Sequence, residues 1–206
     1  MTITAVDLGL YAFALLILFI TPGPVWLAML ARALSGGFNA AWPLALGVVI
    51  GDVLWSLLAI LGVSWIVSEF TGFLTFLRWV AVAMFLAMGI LLIRHADKKI
   101  AADSRLTRPG MWAGFVAGLV AILGNPKAIL FYMGFLPGFF DLSTLGVPDI
   151  LAICTVSALI PLLGNLILGA SVGGLRRIMS SPQALRRMNV SAGSLLILVA
   201  LIIPFT

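Results

Sequence analysis

Charge is the scarcest commodity in this sequence: lysine, arginine, aspartate and glutamate make up 9% of 206 residues. Soluble domains carry about 25%. With 63% hydrophobic residues and a mean hydropathy of +1.22, most of the chain requires lipid or buried protein as its solvent. No sizeable soluble domain fits beside the several spans, of about 20 residues each, that such a chain holds. Cysteine is nearly absent too. Cys154, inside an apolar run, rules out an internal disulfide and a membrane dithiol carrier. The single histidine, His95, sits in a basic polar stretch. A metal exporter needs a cluster of His, Cys or carboxylate ligands, so metal transport is disfavoured and no cofactor is expected. An intramembrane hydrolase needs a nucleophile with a base, and no span offers Ser–Lys, paired Asp or His. The N-terminus lacks the basic region of a signal peptide and places Asp7 there instead, so the first apolar run is expected to be retained.

Six apolar segments are present, at about 6–33, 39–67, 70–93, 111–140, 148–170 and 182–203, the last with Ser181 as N-cap. They are expected to form a single transmembrane domain over residues 1–206. The net charge of +5 is not a nucleic-acid signal, because the cations lie in short connections. Arg94, Lys98, Lys99, Arg105 and Arg108 occupy the loop at about 94–110. Arg176, Arg177, Arg186 and Arg187 follow segment five, and Arg32 is expected in the turn after segment one. Asp7, Glu69, Asp141 and Asp149 fall on the other side with Arg78 alone. The positive-inside rule puts the basic loops in the cytoplasm and both termini outside. The basic runs set topology, with contact to anionic lipid as a lesser role.

Segment one contains "FITPGPVWLAML", Phe19 to Leu30. A proline inside a helix costs about 3 kcal/mol, because it removes a backbone bond and clashes with the preceding turn. Pro22 frees the carbonyl of Leu18, and Pro24 frees that of Ile20. In hydrocarbon, irregular backbone is tolerated only against protein or around a wet cavity. The stretch reads as a helix restart, with Thr21 as N-cap, Pro22 at the first helical position and Gly23 permitting close approach. Segment four repeats the device in "LGNPKAILFYMGFLPGFF", where Asn125 is the N-cap, Pro126 follows, and Lys127 comes next. Pro126 follows Pro22 by 104 residues, and half the chain is 103. The expected fold is therefore all-α, with six transmembrane helices as two inverted three-helix repeats, about 1–93 and 111–206. Helices one and four are broken mid-membrane, which points to a transporter's binding site.

Two ionisable residues lie deep in apolar runs, Asp52 and Lys127. Each costs about 2.5–3.5 kcal/mol at a helix centre, so each is a functional candidate. The alternatives are a satisfied interhelical partner for Asp52 and snorkelling for Lys127. Gly47 and Gly51 suit close helix packing, which is compatible with a homodimer. Trp55 is expected to pack, and Asn165, near Pro161, to make an interhelical hydrogen bond. Two helix N-termini, one cation and one anion suit a small zwitterion. The half-helix ends and Lys127 would take its carboxylate, and Asp52 its ammonium or a proton.

At these residues the chain resembles the LysE/RhtB family of amino-acid exporters. The likeness rests on "TPGP" at Thr21–Pro24, "ALGVVIGD" at Ala45–Asp52 and "NPKAILFYMGFLPGF" at Asn125–Phe139. It implies export of amino acids or relatives across a bacterial inner membrane, driven by the proton gradient. The residues that the breaks and buried charges mark as the substrate site are Thr21, Pro22, Gly23, Pro24, Asp52, Asn125, Pro126 and Lys127. Two departures stand out. Val25 and Trp26 follow "TPGP" where many members carry a polar residue, and Gly138 replaces the usual glutamine. The first makes the site more apolar, favouring a neutral or hydrophobic amino acid over lysine.

Overall fold

A computed structural model describes residues 2–63, 72–94, 96, 110–171 and 181–202. Glu69, His95, Asp97, Lys98, Lys99, Asp103, Arg105, Arg108, Arg176 and Arg177 lie outside the described residues. Among the described residues every regular element is helical. Helix α1 spans Ala5–Ile20 and α2 spans Pro24–Leu58, followed by a π-helical turn at Ala59–Val63. Helix α3 spans Phe73–Arg94, α4 Met111–Leu123 and α5 Pro126–Leu130. A second π-helical turn, Phe131–Phe135, leads into α6, Leu136–Phe139. Helix α7 spans Val147–Ala170 and α8 spans Pro182–Ile202.

Local chemistry explains the boundaries. Helix α1 opens on a reciprocal box, in which Thr4 accepts from the Asp7 amide and Asp7 accepts from the Thr4 amide. Sixteen residues rise only about 24 Å, short of a hydrocarbon core of about 30 Å, so α1 alone is not long enough to span one. Helix α2 is interrupted at Gly36 and Gly37, and Gly37 has φ 69°, a conformation that only glycine adopts without strain. Ser181 accepts from the Ala184 amide at 3.3 Å and caps α8. Asp141, in the connection after α6, accepts from the Ser143 amide and hydroxyl, which holds its carboxyl below its usual range.

By length and apolarity, Pro24–Gly62 and Val147–Ala170 can each cross a membrane. Met111–Leu123 and Pro126–Phe139 qualify together as a third span, bent by 52°.

Packing is organised around α2, which lies against both α4 and α7, while α3 pairs with α8. A Cβ on Gly47 would overlap the Phe115 carbonyl, and one on Gly118 would overlap that of Leu44. These glycines let the backbones of α2 and α4 touch, as expected for Gly47. Gly51 is held the same way against Ile122. A reciprocal contact closes the other pair. A Cβ on Gly89 would lie 2.7 Å from the Gly193 carbonyl, and one on Gly193 would lie 2.7 Å from the Gly89 carbonyl. These two glycines are 104 residues apart, the same interval as Pro22 and Pro126.

Arg32 corrects an expectation. It lies not in an exposed turn but within α2, 2% exposed. Its Nε donates to the Ala40 carbonyl at 2.7 Å and an Nη to the Gly110 carbonyl at 2.9 Å. A guanidinium has five donors in a rigid fork, so it can tie several carbonyls at once where a lysine cannot. Arg32 is thus a buried staple across the Gly36–Gly37 interruption to the start of α4. Arg94, Arg186 and Arg187 are exposed, but they lie in helices and not in the connections expected for them: Arg94 is the last residue of α3, and Arg186 and Arg187 are in the first turns of α8.

Candidate functional site

The two breaks are built differently. At the first, the residue before a proline is pushed to extended backbone. That restriction acts twice in Thr21-Pro22-Gly23-Pro24. Thr21 takes φ −71°, ψ 119° and ends α1, with its amide and hydroxyl both donating to the Ile17 carbonyl. Gly23 is extended and becomes the N-cap, and Pro24 is the first helical residue of α2. The restart therefore falls two residues later than expected, and Thr21 closes a helix instead of opening one. Glycine offers no side chain, so this N-terminus has no side-chain cap.

The second break follows the expected order. Asn125 is the N-cap and accepts from the Lys127 amide at 3.2 Å, with Pro126 at the first helical position.

Four carbonyls at the breaks accept from side chains. The Leu18 carbonyl, released by Pro22, accepts from the Lys127 ammonium at 2.7 Å, and the Thr21 carbonyl accepts from it at 2.6 Å. The Phe19 carbonyl accepts from the Trp26 indole at 2.6 Å. Across the cavity, the Ile122 carbonyl, released by Pro126, accepts from the Trp55 indole at 3.3 Å. Trp55 is thus more than packing. Lys127 is 5% exposed and does not snorkel. Its ammonium sits at the C-terminal end of α1, where the helix dipole is negative.

Both breaks line one cavity of about 40 Å³, together with α7. That is room for roughly three waters. Gly23, Val25 and Trp26 come from the first break, and Ile122, Asn125, Lys127 and Ala128 from the second. Asp52 and Val48 come from α2, Pro161 and Asn165 from α7, and Leu15, Leu18 and Phe19 from α1. Of the residues singled out in the sequence, Gly23, Asp52, Asn125 and Lys127 thus meet at one place. Thr21, Pro22, Pro24 and Pro126 do not line it; they shape the backbone around it.

Asp52 is 3% exposed and accepts from the Tyr132 hydroxyl at 3.0 Å. Lys127 is engaged with carbonyls, and among the described residues no ion pair joins it to Asp52. Tyr132 is a residue that sequence reasoning missed, and so is Tyr11, whose hydroxyl lies 2.7 Å from that of Ser157. Both tyrosines are fully buried, Tyr11 against Phe131, Phe139 and Phe140, and Tyr132 against Phe131. They are the only two tyrosines in the chain. A phenol in an apolar run needs a polar partner, and that was the available signal. Asn165 is 1% exposed and bonds within its own helix, Nδ2 donating to the Pro161 carbonyl at 2.8 Å. The expected interhelical bond is not made. Among the described residues no group of three or more His, Cys, Asp or Glu could hold a metal.

Apolar helices long enough to span a membrane, a bent pair and a polar cavity between two helix breaks, with no strand among the described residues, make the architecture of a membrane protein that handles a solute. The chain belongs to the LysE type translocator family, whose model matches residues 16–203. It is 32% identical over 184 residues to an uncharacterized membrane protein of Synechocystis, covering 89% of this chain and 88% of that one. An uncharacterized membrane protein of Pseudomonas aeruginosa is 28% identical over 144 residues, 68% of this chain and 67% of that one. The leucine efflux protein of Salmonella typhimurium is 30% identical over 135 residues, 65% of this chain and 63% of that one. No solved structure matches the chain.

Proposed function

We propose that this translocator exports small zwitterions, apolar amino acids of leucine's kind, across the bacterial inner membrane in exchange for protons. The observation that carries the reading is that both proline breaks, one buried acid and one buried cation share a single cavity. Half-helix ends buried in a membrane protein are suited to charged solutes. The uncapped start of α2 offers amides to a carboxylate, and Asp52 offers an acceptor to the ammonium or a proton. The leucine efflux relative and the apolar wall of Leu15, Leu18, Phe19 and Val48 favour a hydrophobic side chain. Alternating access to such a cavity needs its walls to move, and α1 and α5, which end and begin at the breaks, are the elements placed to do so.

The same reading includes six spans as two inverted repeats, with broken helices one and four. It is supported by the interval of 104 residues shared by the breaks and by the Gly89–Gly193 contact. Packing of α3 on α8 and of α2 on α7 is what a two-fold axis between repeats requires. The charge asymmetry of the connections places the loop after α3 in the cytoplasm and both termini outside. The partners in this account are the amino acid and the lipid bilayer.

The test is counterflow in proteoliposomes against a panel of amino acids at two pH values. Trans-stimulated exchange of leucine, isoleucine or valine, with net efflux driven by a pH gradient, is the expected result. Exchange of none of the panel would remove the reading.

A further inference from the structure

Asn165 carries an unmet bond. Its Oδ1 is buried with no hydrogen-bond partner, while its Nδ2 is committed to the Pro161 carbonyl at 2.8 Å. That commitment fixes which end of the amide is left over. Turning the amide would set its oxygen against the Pro161 oxygen, so the vacant atom is an acceptor. A buried acceptor without a donor costs about 1–3 kcal/mol. Buried polar atoms in this condition call for an explanation, and the residue that carries this one is part of the cavity wall.

The other polar groups of the cavity divide by sign. Lys127 spends two of its three protons on the Leu18 and Thr21 carbonyls, and its charge repels an ammonium from that end. The start of α2 is uncapped there, with Val25 and Trp26 on the cavity wall. Anions are favoured at such a helix end. Asp52 already accepts from Tyr132. Asp52 uses one of its two oxygens for that bond, and among the described residues the fully buried acceptor of the cavity wall that has no donor belongs to Asn165.

We propose that Asn165 is the ammonium acceptor of the transport site and orients the solute, leaving Asp52 to carry the proton. The inference rests on the amino-acid export reading above and fixes the polarity of its site. The α-carboxylate lies at the Val25–Trp26 amides, the α-ammonium at Asn165 Oδ1, and the side chain along Leu15, Phe19 and Val48. Asn165 is then the residue that separates an α-amino acid from the same molecule without its amine.

The experiment uses the full chain in proteoliposomes, with leucine counterflow competed by 4-methylpentanoate, which is leucine without its amine. The wild type is expected to prefer leucine by at least about tenfold, the worth of one charge-assisted hydrogen bond. In Asn165→Leu that preference collapses toward unity and the leucine KM rises about tenfold. The dependence of exchange on pH stays as in the wild type. Asn165→Asp, which keeps the acceptor, retains the preference. Asp52→Asn does the converse, flattening the pH dependence and sparing the preference. A monodisperse Asn165→Leu that still prefers leucine overturns the proposal. If Asn165→Leu does not fold, Asn165→Asp decides: loss of its preference overturns the proposal, and retention supports it. A wild type that exchanges leucine but prefers it no more than 4-methylpentanoate overturns this inference alone, whereas one that exchanges no amino acid overturns the export reading beneath it.

Discussion

The break at Thr21–Pro24 and the break at Asn125–Lys127 begin from the same sequence device and end in opposite electrostatic conditions. The second is self-sufficient: Asn125 caps its helix start, and Trp55 takes the carbonyl that Pro126 releases. The first is incomplete on its own. Its helix start has no side-chain cap, and two of its exposed carbonyls are satisfied by Lys127, a residue of the other break. Two breaks with the same sequence device are therefore held together differently. The capped break supplies a cation and stays closed. The uncapped break leaves its first amides without a side-chain partner and depends on its counterpart to hold it together. This asymmetry gives the cavity one end that favours anions and one that does not.

The largest way to break this comparison is Lys127→Met. It strands the Leu18 and Thr21 carbonyls, two charge-assisted bonds of roughly 1.5–3 kcal/mol each. Transport is expected to vanish, with thermal unfolding in detergent lowered by several degrees. Wild-type exchange in this variant would show that the first break stands without the second.

Asp52→Asn comes next. Leucine exchange should persist within severalfold while pH-gradient-driven efflux is lost, read as net flux with and without the gradient. Tyr132→Phe removes the one donor to Asp52 and is expected to shift the pH profile of efflux with a smaller change in maximal rate.

Asn125→Ala sharpens the contrast from the other side. It uncaps the second break at a cost of about 1 kcal/mol. Substituting alanine for the N-cap Gly23 removes no cap, and its Cβ would lie 3.4 Å from the Lys127 ammonium, an ordinary contact. Thermal midpoints should fall for Asn125→Ala and stay near wild type for Gly23→Ala. The smallest expected effect is Trp55→Phe. It keeps the packing and removes one donor to the Ile122 carbonyl, worth about 1 kcal/mol.

What was legible in the sequence follows from what each signal encodes. Proline position is a backbone statement, so both breaks could be located from residues alone. Their caps were half legible. Asn125 followed local rules, but in Thr21-Pro22-Gly23-Pro24 two successive pre-proline restrictions delayed the restart to Pro24. Buried charge was visible because Asp52 and Lys127 interrupt apolar runs. Their partners were not, since the Leu18 carbonyl lies 109 residues from Lys127, and no local pattern specifies such a contact. Arg32 was misplaced because a basic residue near a helix end looks like a loop residue. Only tertiary structure reveals the carbonyls that bury it. Tyr11 and Tyr132 were overlooked among many aromatics, although their hydroxyls set them apart.

One measurement reaches the central claim most directly: whether the amino acid occupies the cavity between the two breaks. Val48 lines that cavity, and Val48→Cys in a Cys154→Ser background places a single thiol there. With counterflow retained, labelling by a small thiol reagent should slow as leucine is added, half-maximally near the leucine KM. Labelling that ignores saturating leucine would place the solute elsewhere and contradict the account.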